Sequence, residues 1–131
     1  MAYTLNWNSK DIVYWTYSGD VTGDEIVEST KTIYGDPRFD HIKFKIVDFL
    51  DTTSISMTKR HLDMVSSFHR AAAISNPHIK NAILVNQNSD NAKTLARVYI
   101  ENLKNSPWEL KIIHSREALN DWMESHKHPK T

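Results

Sequence analysis

Apolar and polar residues alternate along Tyr3-Thr4-Leu5-Asn6-Trp7, the period of a half-buried strand. Asn8-Ser9-Lys10-Asp11 is a turn-forming cluster. Ile12-Val13-Tyr14-Trp15-Thr16-Tyr17 follows, rich in β-branched and aromatic residues. Two such runs across a short turn predict a hairpin, closed by Ser18-Gly19-Asp20. Thr22-Gly23-Asp24-Glu25 then has the form of a capping box, with Val21 placed to pack on Ile26 as a hydrophobic staple. Ile26, Val27, Thr30, Ile33 and Tyr34 recur at helical spacing, and Gly35-Asp36-Pro37 ends that helix.

The pattern of the middle of the chain organises the rest. Ile42 to Leu50 reads as a strand in which Ile42, Phe44 and Ile46 alternate with Lys43 and Lys45 at a solvated end. From Val47 onward it becomes nearly all apolar, as in a strand covered on both faces. Asp51-Thr52-Thr53-Ser54-Ile55-Ser56 reads as a polar loop. Met57 to Ile74 reads as a long helix with Leu62, Val65, Phe68 or His69, and Ala72 inward, and Ser54 or Ser56 as its N-cap. Ala82 to Val85 is a short buried strand. Asn88-Ser89-Asp90-Asn91 offers caps for a helix whose apolar face is Ala92, Leu95, Ala96, Tyr99 and Leu103. Trp108 to Ile113 is a last strand, with Glu109 and Lys111 suited to an edge. Ser115 caps a final helix, Arg116 to Ser125, with Leu119 and Trp122 inward.

The order is β-β-α-β-α-β-α-β-α. It implies a single α/β domain with a mostly parallel five-stranded sheet and one antiparallel N-terminal hairpin strand. That domain spans residues 1–125, and residues 126–131 read as a flexible tail.

Charge and composition narrow the function. The formal net charge of the 131 residues is +0, so no global field draws nucleic acid or an anionic membrane. No apolar stretch is long enough to cross a bilayer. The chain has no cysteine, which excludes disulfides, thiol nucleophiles and thiolate metal sites. Met1-Ala2-Tyr3-Thr4-Leu5 lacks the blocks of a signal peptide, and the expected location is the cytoplasm.

Candidate chemistry is sparse. Ser56-Met57-Thr58-Lys59 and Ser89-Asp90-Asn91 spell two motifs of penicillin-binding enzymes, but the Lys-Thr-Gly motif is missing and both fall at helix starts. His61 and His69 share a helical face about 12 Å apart along the axis, too far to share a metal. Asp20, Asp48 and Asp51 lie near strand ends without a nucleophile to complete a set. No Gly-rich phosphate loop is present. The expectation is therefore no enzyme, no metal and no cofactor. Trp7, Tyr14, Trp15, Tyr17 and Phe49 gather many aromatics near one sheet edge. Trp15, Tyr17 and Phe49 are candidates to line a pocket for a small apolar or lipid-like ligand, and the hairpin is the candidate surface for a homodimer.

Several stretches carry a resemblance. They are Tyr17-Ser18-Gly19-Asp20-Val21-Thr22, Gly35-Asp36-Pro37-Arg38-Phe39, the apolar strand ending in Asp48 before a Ser/Thr loop, and Ser115 to Trp122. From Leu5 to Met123 the chain resembles the SpoIIAA-like anti-sigma-factor antagonists of the STAS superfamily. It looks most like a branch of small bacterial proteins grouped with CRAL-TRIO lipid-binding domains. The resemblance implies a non-enzymatic regulatory module that binds a protein partner. In the antagonists a serine in the loop after the central strand is phosphorylated, which switches binding to a kinase-type anti-sigma partner. It implies Asp51, Thr52, Thr53, Ser54 and Ser56 as the partner-binding or phospho-acceptor loop. Asp51-Thr52-Thr53-Ser54 approximates the family's Asp-Ser-Ser-Gly-type loop without its glycine.

Overall fold

The computed structural model describes residues 3–127. Strands β1 (Tyr3–Ser9) and β2 (Ile12–Thr22) form the hairpin, and helix α1 (Gly23–Lys31) follows directly. A 3-10 turn (Pro37–His41) leads into β3 (Phe44–Ser56), α2 (Lys59–Ser75) and β4 (Lys80–Leu84). The chain ends with α3 (Asp90–Asn102), β5 (Glu109–Ile113) and α4 (Arg116–Lys127). The sheet has the order β1-β2-β3-β4-β5, antiparallel between β1 and β2 and parallel elsewhere.

Parallel strands laid down in sequential order, joined by right-handed crossovers, put every crossover helix on one face. Residues of α1, α2 and α3 accordingly share a core with Val13, Trp15, Tyr17, Ile83 and Val85. The other face carries α4 alone, where Leu119, Trp122 and Met123 cover Phe44, Ile46, Leu84 and Ile113. No helix among the described residues is long and apolar enough to cross a membrane.

The start of α1 is as local chemistry dictates. Thr22 Oγ1 accepts from the Glu25 amide at 3.2 Å, and Glu25 Oε1 accepts from the Thr22 amide at 3.0 Å. Such a cap contributes ~1 kcal/mol. Val21 and Ile26 are both buried in the three-helix core. At Gly35 the backbone turns left-handed, with φ +90°, beyond the end of α1.

Four local expectations give way to tertiary structure. First, β2 does not end at Ser18-Gly19-Asp20, and residues 51–56 are not a loop. Both segments are strand, and they pair with each other: Gly19 with Thr52, Asp20 with Ser54, Val21 with Ile55, Thr22 with Ser56. Two register irregularities, and Gly19 at φ +67°, absorb the twist. Each polar segment supplies the other's backbone partners, which neither could show alone. Second, the N-cap of α2 is Thr58, not Ser54 or Ser56. Its hydroxyl accepts from the His61 amide, and His61 Nδ1 accepts from the Thr58 amide at 3.1 Å. A histidine thus stands where a capping box usually has a carboxylate. Third, Lys45 does not face solvent, being 2% exposed beneath the three-helix layer. Fourth, α4 runs through His126 and Lys127, and His126 Nε2 sits 3.0 Å from Glu109 Oε2. The remainder of the expected tail lies outside the described residues.

Candidate functional site

Beyond the point where β3 leaves the buried part of the sheet, its last residues form a polar rim. Asp51 accepts from Arg116 Nη2 at 2.9 Å. Thr52 Oγ1 donates to the Phe49 carbonyl at 2.6 Å. Ser54 Oγ donates to Asp20 Oδ1 on β2 at 2.8 Å. Asn91 of α3 donates to the Ile55 carbonyl at 2.8 Å, joining the rim to the next helix. A depression of about 330 Å³ lies between residues 52–55 and the 86–92 segment. The structure thus brings Thr52, Thr53 and Ser54 together on one surface. Thr53 and Ser56 are exposed, and Ser56, the last residue of β3, lies two positions before Thr58, the N-cap of α2.

Behind the rim, over the centre of β3, lies an apolar cavity of about 70 Å³. All three aromatic candidates line it. Trp15 Nε1 donates to the Ser29 carbonyl at 3.2 Å. The Ser29 hydroxyl proton goes to the Ile26 carbonyl, so the Tyr17 hydroxyl donates to Ser29 Oγ. Both rings are therefore oriented by α1. Phe49 stacks on Tyr17 with centroids 4.7 Å apart. Trp7, by contrast, is covered by the Arg38 guanidinium at 4.3 Å and takes no part in the cavity.

Of the polar residues that line the cavity, the pattern of the sequence places His69 and Tyr99 inward and misses Lys45. Lys45 lines it with no hydrogen bond or ion pair among the described residues; its ammonium lies 5.1 Å from the Trp15 ring and 5.8 Å from the Trp108 ring. Burial pushes the Lys45 amine down to about 7. His69 and Tyr99 line the cavity beside it. Asn81 Nδ2 donates to the Tyr99 oxygen at 2.9 Å, which leaves the phenol proton for His69 Nδ1. That pattern assigns the His69 proton to Nε2, which has no acceptor. Burial, and then the Lys45 charge, hold His69 well below the usual imidazole range, in its neutral form. Burial likewise holds Tyr99 well above the usual phenol range. Strand parity was the available signal for Lys45. It shares a face with Val47 and Phe49, whose apolar character marks that face as covered.

A third cluster occupies the opposite face. Asp48 is fully buried and accepts from the Tyr14 hydroxyl, from Arg116 Nε at 2.9 Å and from the Leu50 amide at 2.9 Å. Burial, and then the bond to Asp48, raise the Tyr14 phenol to about 12. Every member has a structural partner, so the arrangement anchors α4 to β3. The two helical histidines stay apart in role: His61 caps α2 and contacts Asp24 at 3.0 Å, while His69 is buried. Among the described residues no group of three potential ligands could hold a metal ion.

The sheet order and the three-plus-one helix layers make a SpoIIAA-like fold. Among solved structures, the chain is similar to the anti-sigma factor antagonist SpoIIAA in its unphosphorylated form. The TM-score is 0.56, with 13% sequence identity, over 94% of this chain and 98% of that one. Comparison with protein-family models and with curated proteins finds no match. The likeness establishes the fold, and the site has to be argued from its own residues.

Proposed function

We propose that this chain is a non-enzymatic regulatory module of the cytoplasm that meets a protein partner through the β3–α2 rim. The observation that carries this reading is the SpoIIAA-like fold presenting the exposed hydroxyls of Thr53 and Ser56 at the strand end that leads into α2. Within the rim, Ser56 suits phosphorylation better than Ser54. The Ser54 hydroxyl already faces the Asp20 carboxylate, which would repel a phosphate, whereas Ser56 is exposed and makes no side-chain hydrogen bond among the described residues. Mass spectrometry of the protein from its own host tests the switch. A phosphatase-sensitive increment mapped to residues 52–56 supports it. A photo-crosslinker placed at Ser56 and, as a control, at Asn120 on α4 tests the surface. Partner adducts are expected from position 56 only; equal adducts from both positions would dismiss the rim.

The cavity favours a second reading, in which the module also binds a small apolar ligand. Native mass spectrometry of the same preparation should then show a non-covalent mass that is lost under denaturing spray.

A further inference from the structure

Lys45 poses a charge problem. A buried ammonium without a counter-ion costs several kcal/mol, and the rings of Trp15 and Trp108 recover only part of that. Aligned with it across the sheet are Val13 on β2 and Asn81 on β4. The titratable groups that line the cavity with it are Tyr17 from β2, His69 from α2 and Tyr99 from α3; neither aspartate nor glutamate lines it. The nearest buried carboxylate on the same strand, Asp48, is on the other face and fully engaged. Lys45 and His69 both line the cavity; Lys45 Nζ has no hydrogen bond among the described residues, His69 Nε2 and Asn81 Oδ1 are buried without a partner, and the remaining walls are largely apolar.

We propose that the cavity takes a small apolar carboxylic acid, whose carboxylate becomes the missing counter-ion of Lys45 while its hydrocarbon part packs among Trp15, Tyr17, Phe49 and Leu95. The proposal rests on the ligand reading above and gives it a chemical class. It fits the volume, which admits a short chain rather than a long lipid. It also couples binding to protonation. A carboxylate stabilises the charged amine, so a complex formed above neutral pH takes up a proton at Lys45.

The test compares butanoate with 1-pentanol, a neutral molecule of similar size, on wild type and Lys45→Met. Binding is followed by amide NMR and by calorimetry in buffers of different ionisation enthalpy. Wild type is expected to prefer butanoate roughly tenfold or more, with shifts centred on β3 and α3. At pH 8 it should take up close to one proton per butanoate bound. Lys45→Met should lose the preference and the proton uptake and still bind the alcohol. The wild-type proton count needs no variant, so it decides the matter even if Lys45→Met misfolds. Equal binding of both probes without proton uptake would overturn the carboxylate inference and leave an apolar pocket. No cavity-centred shift with either probe would overturn the pocket reading as well.

Discussion

Lys45 and Asp48 lie three positions apart on β3 and both are buried, yet they are opposite solutions to the same problem. Asp48 faces α4 and is matched on every side, by Tyr14, Arg116 and the Leu50 amide. Lys45 faces the three-helix layer and has two aromatic rings and no anion. A charge removed from water must be paired or be held at a cost. The first arrangement builds structure. The second leaves an unmet demand beside a cavity, and the proposed carboxylate ligand rests on it.

The comparison can be broken most sharply from the Asp48 side. Arg116→Ala should cost about 3 kcal/mol, because it strands a buried carboxylate while Arg116, half exposed, gives up little packing. Urea unfolding measures this, and a loss below about 1 kcal/mol would mean that Asp48 is not structurally demanding.

On the Lys45 side the sign reverses. Lys45→Met should stabilise the protein by about 2 kcal/mol at pH 6, since it replaces an unpaired buried charge with an apolar chain. The pH profile provides a second reading. The unfolded lysine keeps its proton to the ordinary value near 10.5, while the folded one releases it near 7. The penalty is therefore complete below about 7 and is relieved as pH rises. Wild-type stability should climb between about 7 and 10, at a slope approaching ~1.4 kcal/mol per pH unit. Lys45→Met should lack that climb, and parallel profiles for the two proteins would refute the burial argument. Tyr14 works in the other direction. Its folded value, raised to about 12, means that its contribution is present below the unfolded value near 10 and is lost as pH rises through 12. A Tyr14→Phe variant should soften that alkaline decline.

A smaller effect is expected where α1 meets α2. A methyl group at Gly23 would lie 2.2 to 2.6 Å from the His61 ring. Gly23→Ala should cost about 1–2 kcal/mol, because the ring cannot retreat without giving up the Thr58 cap and the Asp24 contact. Thermal melts would register this, and pairing it with His61→Ala should restore most of the loss.

The smallest effects are expected on the rim. Ser54→Glu places a second carboxylate against Asp20 on the paired strand and should cost up to ~1 kcal/mol. Ser56→Glu, at an exposed position without a carboxylate partner among the described residues, should be close to neutral. Equal costs at both positions would remove the reason for preferring Ser56 as the acceptor.

Much of this molecule was written in local pattern. The Thr22 capping box, the Ser89 and Ser115 caps, the two-residue period of β1 and the helical face of α3 each depend on residues within a few positions of one another. Those signals fixed the element order, and the element order implied the parallel sheet. The aromatic cluster likewise marked Trp15, Tyr17 and Phe49 as neighbours. Pairing between distant segments is another matter. Residues 18–22 and 51–56 look like loops because they are polar, and each becomes strand only when the other lies beside it. Thr58 takes the cap of α2 from Ser54 and Ser56 because those serines are already committed to β3. Lys45 reads as a surface residue by composition, and its burial is decided by helices contributed from elsewhere in the chain. Sequence by itself determined which segments are helix or strand and in what order, because capping and periodicity are short-range. Only the tertiary structure decided where the strands end and which charges lose water and counter-ion, because those depend on what packs across the sheet.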